Sequence, residues 1–158
     1  MRLLLFWLLL AGCQDPFGFE PGDPTKPDPP GPPVLKWPEN GEMIVNYAYP
    51  QDVVLEWFAV KGAGFYQVEV YNDSVPGPGS LHVRRPDVAG SSVGVRFTRW
   101  GFYYWRVRAA SRSWNNYTAW SELRRFLLPD PSVDNRGEGS GRTDAAGRRR
   151  EQAIAGYR

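Results

Sequence analysis

Between residues 51 and 110 the chain repeats one pattern, and that pattern admits few folds. Val53, Leu55 and Trp57 alternate with Asp52, Val54 and Glu56, and Tyr66, Val68 and Val70 alternate with Gln67, Glu69 and Tyr71. Val93, Val95 and Phe97 then alternate with Gly94 and Arg96, and Tyr103, Trp105, Val107 and Ala109 with Tyr104, Arg106 and Arg108. A period of two places each first-named set on one face of an extended strand. Turn-forming clusters separate the runs at Lys61–Gly64, Asn72–Ser80, Pro86–Ser92 and Ser111–Thr118. Helical spacing is absent from this stretch. Short strands with regular turns, each with one apolar face, predict an all-β sandwich.

The sandwich must be held without a cross-link, because Cys13 is the only cysteine. Large apolar residues of the mature chain concentrate in residues 34–128, which are expected to form a single domain near the ~100-residue size of a two-sheet sandwich. The segment 13–33 is dominated by Pro, Gly and Asp, so it is expected to be a disordered, semi-rigid linker without helix or sheet. Residues 129–158 carry few large apolar side chains and are expected to be a disordered tail.

The start of the chain reads as an address. Arg2 precedes the apolar run Leu3–Leu10, followed by Ala11-Gly12-Cys13, which is the layout of an export signal over residues 1–12. The run is far shorter than the ~20 residues a membrane-spanning helix needs. Leu10-Ala11-Gly12-Cys13 resembles the lipobox of bacterial lipoproteins. That resemblance implies cleavage before Cys13 and lipidation of Cys13 by diacylglycerol and a further acyl chain such as palmitate. More than one chain suits stable anchoring, since each buried methylene contributes ~0.8 kcal/mol. The resemblance also implies a lipid-anchored protein of the bacterial cell envelope. Gln14 stands where an Asp would signal inner-membrane retention, so the outer membrane is favoured over the inner one.

The residue inventory argues against catalysis. His82, the only histidine, is expected on the surface of a short strand, Leu81–Arg85. The acids of the domain are expected to be scattered over outer strand faces and loops, without a paired-carboxylate cleft. No metal site and no small-molecule cofactor are expected. A net charge of +2 with no accompanying motif does not suggest nucleic acid as a partner.

Trp57 after Leu55, Tyr66 with Val68, Phe97 before Tyr103-x-Trp105-x-Val107-x-Ala109, and then Ala119-Trp120-Ser121-Glu122 together resemble a fibronectin type III domain, bacterial members especially. The resemblance implies an immunoglobulin-like β-sandwich with structural roles for Trp57, Tyr103, Trp105, Trp120, Arg106 and Arg108. Trp57 is expected in the core. Tyr103 is expected to bond an upstream backbone group from a strand corner. Arg106 and Arg108 are expected to face outward and stack near Trp120 on the last strand. Leu123 and Phe126 have opposite parity there, which requires a bulge if both point inward.

Binding is the functional expectation. The loop Ser111–Thr118 mixes Arg112, Trp114, Asn115 and Tyr117 in a composition like that of antibody paratopes. Trp114 and Tyr117 are either platforms for a sugar ring or, in the case of Trp114, a cover for the end of the core. Trp100 and Phe102 are expected to be packing residues. Two functions follow: a lipid-anchored domain that mediates protein interaction or acts as a structural spacer, or a carbohydrate-binding accessory module using Trp114 and Tyr117. The envelope protein or polysaccharide partner is not named by any of these residues.

Overall fold

A computed structural model describes residues 18–134; Cys13, the leader and the tail from residue 135 onward lie outside the described residues. The alternating runs form strands. In chain order the elements are β1 (Leu35–Trp37), β2 (Glu42–Met43), β3 (Gln51–Trp57), β4 (Phe65–Tyr71), β5 (Leu81–Val88), β6 (Ser92–Phe97), β7 (Gly101–Ala110), β8 (Arg124–Leu128) and a short helix α1 (Pro131–Asp134). One sheet has the order β1-β3-β6 and the other β2-β8-β7-β4-β5. This is a two-sheet β-sandwich. The β2–β8 pairing is parallel and the other pairings are antiparallel.

Inward residues of both sheets meet in one core. Leu55, Val70, Phe97, Trp105, Val107, Phe126 and Leu128 have no exposed surface, and Trp57 and Val53 keep 2 % of theirs. Each large apolar side chain so buried contributes ~1.5–3 kcal/mol, which is how a domain without a disulfide offsets its chain entropy. The indole N–H groups of Trp57 and Trp105 have no hydrogen-bond partner among the described residues, so both side chains act through shape alone. Tyr103 packs on Phe97 and donates its hydroxyl to the Arg99 carbonyl oxygen at 3.0 Å, which ties the β6–β7 turn to the core.

Several local expectations are corrected. β5 runs through Pro86 to Val88 where a turn was expected; as an edge strand it needs no N–H from Pro86 on its open side. His82 lies in this strand, but its ring stacks on Phe97 at 5.0 Å and is half-buried. Leu123 precedes β8 and stays outside the core, so no bulge is required. Trp120 also precedes β8. The segment holding it nevertheless follows β7, because Thr118 and Ser121 donate their backbone N–H to the Ala109 and Val107 carbonyls at 2.9 and 2.8 Å. Their hydroxyls accept the Ala109 and Val107 N–H groups in return, at 2.9 and 3.0 Å. Side-chain oxygens thus replace the carbonyls of a regular ladder, and the backbone donors of β7 are all the same satisfied there.

The Pro-rich segment makes contacts with the domain that its composition did not announce. Residues 18–33 form no strand or helix, but they do not stand clear of the domain. Phe19 is 6 % exposed and packs with Phe65, Ala110 and Tyr117. The Gly22 N–H donates to the Asn115 carbonyl at 2.6 Å and the Asn115 N–H to the Pro27 carbonyl at 2.9 Å. At the other end of the sandwich the expected tail begins with α1, and Tyr49 donates its hydroxyl to the Pro129 carbonyl at 2.8 Å.

Candidate functional site: the outer face of the five-stranded sheet

β3 alternates between buried and more open residues, as a strand with one wet face should, whereas all seven residues of β4 are buried. The outward side chains of β4 are Phe65, Gln67, Glu69 and Tyr71, and the register sets them beside Ala110, Arg108, Arg106 and Tyr104 of β7. What covers them is a stack of alternating cations and rings. The Arg108 guanidinium lies 3.8 Å from the Tyr117 ring centre and 4.5 Å from that of Trp120. Arg106 lies 4.2 Å from the Trp120 ring centre and 5.3 Å from that of Tyr71. Cation–ring contacts of this kind contribute ~0.5–1 kcal/mol each where exposed and more where water is excluded.

Beneath the stack sits a buried carboxylate. Glu69, 2 % exposed, accepts from Arg84 Nε at 2.8 Å and from Arg106 Nη2 at 2.8 Å, and the Tyr71 hydroxyl also donates to it. Arg106 Nη2 reaches the Tyr71 oxygen as well, at 2.9 Å. Burial pushes the Glu69 carboxyl up, but the hydrogen bonds from Tyr71, Arg106 and Arg84 together outweigh it and hold the group below the usual carboxylate range. Burial and the Glu69 charge push the Tyr71 phenol up, and burial lowers Arg108. Arg108 Nε donates to Gln67 Oε1 at 2.7 Å. The cluster floors a pocket of about 380 Å³, walled by Arg84 and the Pro76–Pro78 turn. With both Glu69 oxygens engaged by donors, this carboxylate is a structural anchor and is not a free base.

The outer face changes character toward the start of β7. Register brings Met43, Leu127 and Phe102 side by side, and Met43 and Phe102 are each 49 % exposed. Trp100, next to the start of β7, is 56 % exposed. Trp100 and Phe102 are therefore surface residues, against the expectation that they pack. The Arg125 guanidinium lies over the Phe102 ring, at 5.6 Å.

The residues expected to bind lie at the opposite end. Trp114 is 7 % exposed and belongs to the main core, with Gly62 beside its ring, so it is no platform for a sugar. Tyr117 has one neighbour in Arg108 and meets Phe19 and Phe65 edge-on, with ring centres 4.7 and 6.3 Å away. Asn115 binds the Pro-rich segment by its backbone and, through Nδ2, the Asp28 carboxylate at 2.6 Å. Arg112 is exposed and lies against Gly18. The structure thus brings Arg112, Asn115 and Tyr117 together against the Pro-rich segment and leaves Trp114 in the core. Glu69 and Phe19 were missed from the sequence. A phenylalanine pair, Phe17 and Phe19, amid prolines was the available signal for the second.

No group of three or more His, Cys, Asp or Glu side chains among the described residues is placed to hold a metal. No protein-family model matches the chain, and no curated protein does. Among solved structures it is similar to an Fn3-like protein from Clostridium thermocellum, at 20% identity and a TM-score of 0.43, over 65% of this chain and 97% of that one.

Proposed function

We propose that the chain is a non-catalytic protein of the bacterial cell envelope, anchored to the outer membrane by lipid on Cys13, whose sandwich docks a protein partner. The observation that carries the docking role is the row Met43–Leu127–Phe102 beside Trp100, an apolar patch on a face otherwise covered by its own side chains. Water-exposed apolar clusters on small domains mark contact surfaces. The support for anchoring is the sequence Leu10-Ala11-Gly12-Cys13 with no second cysteine in the chain.

Two experiments test the two halves. Labelled palmitate is expected in the wild type and not in Cys13→Ser; equal labelling of both excludes Cys13 as the site. A photoreactive residue at Phe102 is expected to crosslink one defined envelope protein, and the same probe at Val54, exposed on the other sheet, is not. Indistinguishable products from both positions would leave the domain a passive spacer.

A further inference from the structure

The Pro-rich segment does more than connect. Gly18 has a left-handed φ of +57°, and a Cβ on it would come within 3.2 Å of Arg112 Nε, so the chain enters its seat at a glycine that both constraints favour. Phe19 then packs edge-on against both Phe65 and Tyr117, with ring centres 5.8 and 4.7 Å away. Asn115 closes the seat with its backbone bonds to Gly22 and Pro27 and its side-chain bond to Asp28. All of these contacts lie where β7 ends, at Ala110, and where the β7–β8 loop begins.

Cys13 stands only six residues before Phe19. A chain spans at most ~3.6 Å per residue, so the leash from Cys13 to the seat reaches no more than about 22 Å. Without the seat, the leash would run 22 residues to Leu35, about 70 Å in the extended form that prolines favour. Trp100 precedes the far end of β7, about 30 Å away along a ten-residue strand.

Resting on the proposed lipidation of Cys13, we infer that residues 18–28 are a strap that holds the β7–β8 loop end of the sandwich against the lipid surface. The end bearing Trp100, Phe102 and Met43 then faces away from the membrane, toward a partner. Lys61, in the β3–β4 turn beside Gly62 and Trp114, and Arg112 lie at the membrane-facing end.

The test uses the chain from Cys13 to Arg158, its single thiol coupled to a maleimide lipid in a supported phosphatidylcholine bilayer. Neutron reflectometry reads the gap between the headgroups and the first protein density. The expected gap is within about 22 Å. Ten Gly/Ser residues inserted between Asp15 and Pro16 are expected to widen it. The same insertion between Pro30 and Gly31, on the domain side of the strap, is expected to leave it unchanged. Equal widening by both insertions, or by neither, overturns the strap. Urea midpoints of both variants confirm that the sandwich is intact in each comparison. Because the lipid is attached chemically, the result is independent of whether cells acylate Cys13, which the palmitate experiment decides separately.

Discussion

Replacing Glu69 by Gln keeps the shape of the buried side chain and removes its charge. In the wild type one oxygen serves Arg84 and the other serves Arg106 and Tyr71. The amide can present only one oxygen, so an NH2 group must face donors on the other side. Hydrogen bonds to a charged partner contribute ~1.5–3 kcal/mol each. The Arg84 side chain is 53% exposed and regains water when released, so its share is small. The Arg106 side chain, 24% exposed and held over Trp120, cannot turn away as easily. A net loss of about 2–4 kcal/mol follows. At ~4 °C per kcal/mol for a domain of this size, Tm should fall by about 8–16 °C.

The assay is urea unfolding of both proteins across a range of pH, with the slope m expected to be unchanged. The sign is set by the lowered carboxyl of Glu69. A carboxyl held below its unfolded value binds its proton first in the unfolded state, so its stabilising contribution is complete above the unfolded value, about 4.3. It is lost as pH falls through that value toward the folded one. The gap between wild type and Glu69→Gln should therefore be level from pH 6 to 8 and shrink below about 4.3. Coincident midpoints at pH 7, or a gap that does not shrink at pH 3, would refute the account of Glu69 as a charged anchor.

Trp114→Ala should lower stability by about 3–5 kcal/mol, because the indole fills the end of the core; a urea midpoint equal to wild type would contradict its burial. Tyr103→Phe should lose only the bond to the Arg99 carbonyl, about 0.5–1.5 kcal/mol, with m unchanged. Phe102→Ser should shift stability by no more than about 0.5 kcal/mol while abolishing the crosslinked product expected from this face, probed next to it at Trp100. A large stability loss would return Phe102 to a packing role.

The sandwich was legible because the inward residues of β3, β4, β6 and β7 obey period two, and burial follows that alternation in β3, β6 and β7. β1 and β2, of three and two residues, are too short to carry a period, so nothing in their sequence announced them. The outer face was not legible for a different reason. Alternation reports which side chains avoid water in the sheet, but the residues covering Gln67, Glu69 and Tyr71 come from β5, β7 and the loop after β7. An outward Glu and an outward Arg on separate strands look solvated until the register sets Glu69 opposite both Arg84 and Arg106. The same holds for the expected binding loop. Its aromatic composition suggested a ligand, and the ligand it meets in the structure is the chain's own Pro-rich segment.

That self-contact makes the uncovered corner of the sheet informative. Guanidinium stacks, the Pro76–Pro78 turn and Phe19 shield the outer face from Phe65 to Tyr71, and among the described residues nothing comparable covers Phe102 and Met43. A protein selected only for solubility would be expected to place charge or a small residue at those positions, as Arg125 next to them shows the sheet can accept. Leaving about half of each apolar side chain in water forgoes part of the ~25 cal/mol per Å² that burial would contribute. A docked partner would recover that contribution, and the strap places the corner on the end of the molecule that such a partner could reach.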